Sequence, residues 1–263
     1  MQVKRPFSSG GDFLLGATSY VLEAGLVENA EYLRGIVDDM ELVLFHTPEA
    51  SNLPGANEIE RLVKVKLDSD FGYTVHLPVD ISPEPESKSL DLAKEVVRST
   101  LPLEPRAFVL HLNGRRLSPE PSAGELASWR NGAMKAVAEL CDSVGDPSLI
   151  AIENLERWPP EWFLPMLDLL PVSLTVDVGH LWVQGRDPVP YIKRWISRIG
   201  VVHLHGVHRS DHVSLSFVEK EELLRVMGAL RHFEGVLTLE VFGIGDFESS
   251  LEALESCGFG VAP

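Results

Sequence analysis

Residues 172–205 read VSLTVDVGHLWVQGRDPVPYIKRWISRIGVVHLH. Val172–Val178 and Gly200–His205 are short β-branched runs, and each ends in ionisable residues. Between them, Pro190–Ile196 carries a helical pattern. A strand, a helix and a strand at this spacing read as a parallel pair joined by a helical crossover. The same unit repeats outward in both directions. Strand runs fall at Phe13–Tyr20, Asp39–His46, Tyr73–Pro78, Arg106–Leu112 and Ser148–Asn154 upstream, and at Val236–Phe242 downstream. Helical patterns lie between them at Leu26–Ile36, Asn57–Leu67, Ser89–Ser99, Gly124–Asp142, Glu161–Leu169, Phe217–Arg231 and Phe247–Glu255. Eight strands alternating with eight helices predict a single (β/α)8 TIM barrel over residues 1–263. An open doubly wound sheet would usually carry a Gly-rich phosphate loop after its first strand, and GGDFLLGATSY (10–20) is not that pattern.

Composition narrows the function. The 263 residues are 44% hydrophobic, enough for a large core, and carry a formal charge of -16. An acidic surface repels phosphate backbones, which argues against nucleic acid as a partner. Cys141 and Cys257, the two cysteines, have no metal-ligand spacing and form no disulfide framework, which predicts a reducing, cytoplasmic setting. The opening MQVKRPFSSGGDF has no apolar run and predicts no signal peptide. No stretch approaches the roughly 20 apolar residues of a membrane span. The Pro-rich segments Asp80–Ser87 and Arg115–Ser122 read as loops after strands three and four, on the face where barrel enzymes work.

The histidines fall in the same places along successive units. His46, His76, His111, His180, His203 and His205 lie at or just past predicted strand C-termini, and His208 and His212 lie in the loop after strand seven. Glu153, Asp177 and Glu240 occupy equivalent positions. Thr74-Val-His76, Thr175-Val-Asp177 and Thr238-Leu-Glu240 share one alternation, so each ionisable residue points the same way as its threonine while the apolar neighbour faces the helices. A lone strand-end histidine is more often a hydrogen-bonded structural residue, and a lone inward glutamate can pair with a base. Basic residues, however, are almost absent from these strand interiors. Several buried carboxylates and imidazoles sharing one mouth need a cation. Imidazole and carboxylate without thiolate suit zinc, manganese or iron(II). Glu153, Asp177, His203 and Glu240 are the first candidate ligands, followed by His76, His111 and His180; His46 reads as structural and His232 as a surface residue.

The motifs IEN (152–154), DVGH (177–180), VHLH (202–205) and LEV (239–241), in this order, resemble those of the xylose-isomerase-like barrel superfamily, which includes sugar epimerases and endonuclease IV-type phosphodiesterases. The resemblance implies one metal on Glu153, Asp177, His203 and Glu240. It implies a second on His76 and His111, bridged by Glu153, and a third on His180, His212 and an aspartate. In HRSDHVSL (208–215) Asp211 is directly adjacent to His212, where the endonuclease IV-like branch has one residue between, and Gly206 stands where many members have Asp. The segment Leu15–Thr47, with GATSY on strand one and VDDMELVLF on strand two, is similar to the opening of cobamide-remodelling phosphodiesterases, which cleave the nucleotide-loop phosphodiester of cobalamin-type corrinoids.

What this implies is metal-dependent hydrolysis of a corrinoid phosphodiester by two divalent ions, with Glu153, Asp177 and Glu240 as the catalytic carboxylates. Arg115 and Arg116 are placed to meet phosphate, and Ser19, Tyr20, Trp182, His205 and His208 to contact substrate. Trp158 and Trp162 are candidates to cover the corrin face. A metal-dependent sugar isomerase or epimerase and a non-catalytic ligand-binding barrel are the alternatives.

Overall fold

The computed structural model of the chain describes residues 12–47, 50–84 and 87–259. Within them, β1 (Leu14–Thr18), β2 (Asp39–Val43), β3 (Gly72–His76), β4 (Phe108–Leu110), β5 (Ile150–Glu153), β6 (Ser173–Asp177), β7 (Ile199–Leu204) and β8 (Val236–Leu239) pair in parallel and close as β8 meets β1. Closure excludes the open sheet. The helices are α1 (Leu26–Leu33), α2 (Ala56–Leu67), α3 (Ser89–Thr100), α4 (Ala123–Val144), α5 (Val178–Val183), α6 (Pro188–Trp195), α7 (Lys220–Ala229) and α8 (Ile244–Ser256). No helix among the described residues is long and apolar enough to cross a membrane.

Two departures from the expected helices have local causes. Glu161–Leu169 is not an α-helix but two 3₁₀ segments, Pro160–Trp162 and Leu164–Asp168. Pro165 has no N–H and its ring clashes with a preceding carbonyl, so a regular helix cannot run through it. Conversely, α5 was not expected. It begins directly after β6 because the Asp177 carboxylate caps it, accepting from the His180 N–H. The strands are also shorter than their apolar runs. The chain stays extended past the last ladder pair as the barrel opens, so His111, His205 and Glu240 lie just beyond β4, β7 and β8.

Period-two alternation divides the core. Met40, Leu42, Tyr73, Val75, Leu174 and Val176 point outward into the large layer between sheet and helices. Ala107, Val109, Ala151 and Val201 form a separate small apolar plug inside the barrel. Much of the remaining interior is polar: Thr18, Asp39, Glu41, Thr74, Thr175 and Thr238 are fully buried. At the strand N-terminal end, Arg106 reaches beneath β3 to pair with Asp39 at 3.2 Å. Gly72 permits this, since a Cβ there would overlap the Arg106 guanidinium. Burial pushes the Asp39 carboxyl up to about 7, with Arg106 opposing. The folded state therefore binds a proton that the unfolded chain releases at lower pH, and this contribution to stability fades as pH rises through about 7. Denaturation at pH 5 and pH 8 should show Asp39→Asn losing less stability between the two than the unaltered chain. An equal or larger loss would contradict the assignment.

Candidate metal centre

Four strand ends bring Glu153, Asp177, His203 and Glu240 together, all buried. His203 Nδ1 lies 3.0 Å from Glu240 Oε2, 3.5 Å from Glu153 Oε1 and 3.8 Å from Asp177 Oδ2. The other Glu153 oxygen turns toward β3 and β4. Oε2 is 3.0 Å from His111 Nε2 and 3.4 Å from His76 Nε2. One carboxylate thus divides its two oxygens between two clusters. A third cluster contains His180, His205 and His212, and a further group joins Glu41, His76 and Glu240; in each, the potential ligand atoms lie within 4.8 Å of one another.

Whether a divalent ion suits these residues is tested by their unsatisfied atoms. Glu153 Oε1, His203 Nδ1 and Glu240 Oε2 are buried without a hydrogen-bond partner, and all three converge on one point. Buried polar atoms left unpaired are rare and costly. Borderline N/O donors facing a common centre fit zinc, manganese or iron(II).

The hydrogen bonds set the tautomers. Nδ1–H of His76 donates to Leu77 O at 3.1 Å, that of His111 to Asp80 Oδ1 at 3.3 Å, that of His180 to Asn154 O at 3.0 Å and that of His212 to Glu240 O at 3.2 Å. For His76 and His111, that leaves Nε2 for the cluster. Protonation follows the same charges. Burial alone would lower His111 and His180, but the carboxylates of Glu153 and Asp80, and of Asp177, Glu153 and Glu240 respectively, raise each to about 10. For Glu153, burial works to raise the carboxyl, and His111 and His203 hold it well below the usual range. Against the same effect of burial, His203 holds Glu240 down.

The cavity above the cluster measures about 400 Å³. Its floor holds His76, His111, Glu153, His180, His212 and Glu240, and Asp80, Arg115, Glu156, Arg157, Trp158 and Asp211 form its wall. Tyr20 is exposed and does not line the cavity; its hydroxyl accepts from Asn52 Nδ2 and its ring is edge-on to Phe242, which in turn contacts the His212 ring.

Several expected contacts lie elsewhere. Ser19 is buried, and its hydroxyl accepts from the Val43 N–H, tying β1 to β2 instead of reaching the cavity. Trp182 points along α5 to Glu222, to which its Nε1–H donates at 3.2 Å. His208 is exposed and stacks on Phe217. Trp162 packs against Trp129 in the outer layer. Arg116 lies 3.6 Å from Glu84 beside a neighbouring cleft with Ser82 and Ser87, whereas Arg115 lines the main cavity. His46 bonds Ser51, and His232 is exposed.

His205 has a different role from substrate contact. It is fully buried: its Nδ1 lies 2.9 Å from the His212 amide nitrogen and 3.1 Å from the Gly206 carbonyl, and its Nε2 lies 3.2 Å from Asp177 Oδ2. It, and not an aspartate, stands with His180 and His212, while Asp211 lines the wall. Gly179 of DVGH makes room for it: a Cβ there would overlap the His205 ring. Likewise Gly206 lies against the Ser214 carbonyl and pairs with Val213, closing the loop that holds His212 at φ 52, a region disfavoured for non-glycine residues. Gly179→Ala should cost about 1–3 kcal/mol by overpacking and weaken ion binding at the third cluster. Denaturation and metal titration check both; unchanged values in each would refute the close-approach argument.

The sequence reading missed Glu41, Asp80 and Asn154. Asp39 and Glu41 alternate with Met40 and Leu42 on β2, the same pattern that marked His76 and Glu240. Asn154 exchanges two bonds with the Asp177 backbone, donating to Asp177 O and accepting from Asp177 N–H.

No protein-family model and no curated protein matches the sequence. Solved structures do match in shape. Endonuclease IV from Thermus thermophilus superposes with TM-score 0.67 at 17% identity, over 93% of this chain and 98% of its own. A xylose isomerase domain containing protein from Salmonella typhimurium matches with TM-score 0.64 at 12% identity, over 96% and 95%. The fold is the xylose-isomerase-like (β/α)8 barrel. The 3-keto-D-glucoside 4-epimerase of E. coli shares it, with TM-score 0.66 at 14% identity over 94% and 99%. Proteins named as an endonuclease and as a sugar epimerase therefore share this fold.

Proposed function

We propose that the chain is a metal-dependent phosphodiesterase acting on a small corrinoid substrate of the cobamide class. The observation that carries the hydrolase reading is the division of Glu153 between two clusters, with a third group of imidazoles beside them. In-line displacement at phosphorus benefits from ions on both the attacking and the leaving oxygen. Divalent ions held there would supply Lewis-acid stabilisation of charge on the phosphoryl and leaving oxygens. The chain's own part is positional. Arg115 on the wall offers the phosphate a charge-assisted donor. Glu153, Asp177 and Glu240 hold the imidazoles in place. Asp80, Glu156 and Asp211 at the mouth disfavour a long polyanion, in keeping with the net charge of -16.

The cobamide class rests on the resemblance of Leu15–Thr47. The exposed rings of Tyr20 and Phe242, the latter against His212, with Trp158 in the wall, offer an apolar surface to a flat macrocycle. A sugar epimerase is the second reading. Glu153, Asp177, His203 and Glu240 suffice for one ion, and epimerases are among the proteins of like fold. The deciding experiment incubates pure protein with zinc, manganese or iron(II) and with adenosylcobalamin, cyanocobalamin, pseudocobalamin or a generic phosphodiester. Products are identified by mass. Cleavage of the nucleotide-loop phosphodiester, releasing the nucleoside or its phosphate, is the expected result. No phosphodiester cleavage with any ion, together with epimerisation of a keto sugar by protein holding a single ion, would replace this reading with the second.

A further inference from the structure

Glu41 lies below the cluster, on β2, and is fully buried. Its Oε2 accepts from His203 Nε2–H at 3.0 Å, and both side chains are completely shielded from solvent. Thr238 on β8 donates to the same oxygen at 3.4 Å and so fixes it from the other side. His203 therefore differs from His76 and His111. Those two tie Nδ1 to the protein and present Nε2 to the cluster. His203 ties Nε2 downward and presents Nδ1 to Glu240, Glu153 and Asp177. A ring nitrogen can bind a cation only with its lone pair free, and the hydrogen bond at the other nitrogen decides which one that is.

We propose that Glu41 is a positioning residue that keeps the proton of His203 on Nε2 and so dedicates Nδ1 to metal ligation. This rests on the metal reading of the four-residue cluster. The carboxylate acts in three ways. It holds the ring plane toward the cluster. It excludes the Nδ1–H tautomer, in which a hydrogen would occupy the coordination position. Its negative charge, unscreened in the barrel interior, makes the imidazole a stronger donor. Asp80 serves His111 in the same manner, but from a partly exposed loop. Glu41 does so from a strand inside the sheet, so its geometry is set by the barrel itself.

The test uses the whole chain with Glu41→Gln and Glu41→Met. Both keep the side-chain volume close to that of Glu. Gln can still accept Nε2–H through its amide oxygen but lacks the charge, whereas Met accepts nothing. Cobalt(II) and zinc titrations should give affinities in the order Glu, Gln, Met, with the Gln variant weaker by about 10–100-fold. Nitrogen-15 histidine spectra of the zinc-loaded, unaltered protein should show His203 protonated at Nε2 and ligated at Nδ1. A ring that is merely packed would leave Gln and Met equal to each other and to the unaltered chain. Wild-type affinity in both variants, or ligation through Nε2, overturns the proposal while leaving the metal reading intact. Failure of the unaltered chain to bind either ion overturns the metal reading, and the proposal with it.

Discussion

Glu153→Gln should abolish metal-dependent turnover, by about 10³-fold or more, on the scale of removing a preorganised electrostatic stabiliser from an active site. The substitution is isosteric, so the fold should persist and no cavity is opened. What changes is charge and donor character at the point where two clusters meet. Oε2 serves His111 and His76, and Oε1 faces His180 and His203. An amide puts an N–H₂ against imidazole nitrogens on one side and removes the negative charge from both. Glu153 is among the charges that raise His111 and His203, so both rings should lose protons at lower pH in the variant. Metal analysis separates this residue from its neighbours. Glu153→Gln should lose ions from both clusters, while Glu240→Gln and His203→Ala should empty only the four-residue one. Turnover within a few-fold of the unaltered chain, or a full complement of ions in Glu153→Gln, would end the bridging account.

Removing metal should destabilise the protein, and more so as pH rises. Without an ion, imidazolium protons neutralise the carboxylates. His111 and His180 are raised to about 10 and His203 well above its ordinary value, against an unfolded value near 6.5. A raised histidine contributes stability that is complete below the unfolded value and is lost as pH climbs toward 10. Glu153 and Glu240 are held below the usual carboxylate range, so their contribution is present above that range and lost in acid. The metal-free cluster is thus most favourable in mildly acidic solution and weakens through neutral to alkaline pH. A metal ion needs the same nitrogens deprotonated, so its affinity rises over that interval. At an ion concentration 1,000 times the dissociation constant, binding adds about 4 kcal/mol. For a chain of this size that is on the order of 8–16 °C in melting temperature. Melting curves with and without chelator at pH 6, 7.5 and 9 should show the gap widening with pH. A constant or narrowing gap would mean that protons and metal do not compete for these imidazoles.

The barrel was legible because strand–helix alternation and chain length leave few other architectures, and most site residues were legible because side chains alternate with period two. His76, Glu153, Asp177, His203 and Glu240 could be aimed inward from local pattern alone. The same alternation runs through β2 and puts Asp39 and Glu41 inside, though the sequence reading missed Glu41. Nothing in a single strand, however, separates the carboxylate that pairs with Arg106 at one end of the barrel from the one that reaches His203 near the other. Residues past the strand ends were the poorest guide. Ser19, Trp182 and His208 sit beside the mouth in sequence, yet each is turned away by a bond to Val43, to Glu222 or by stacking on Phe217.

By itself the sequence determined the fold class and, for β3, β6 and β8, which residues face the interior, since both follow from local periodicity and from the order of the elements. Only the tertiary structure decided which nitrogen of His76, His111 and His203 faces the cluster, that His205 and not Asp211 stands beside His180, and that Glu41 lies under His203. Glu41 and His203 are 162 residues apart and meet because the sheet closes with a particular stagger of its strands. That stagger is a property of all eight strands packed at once, and no one segment encodes it.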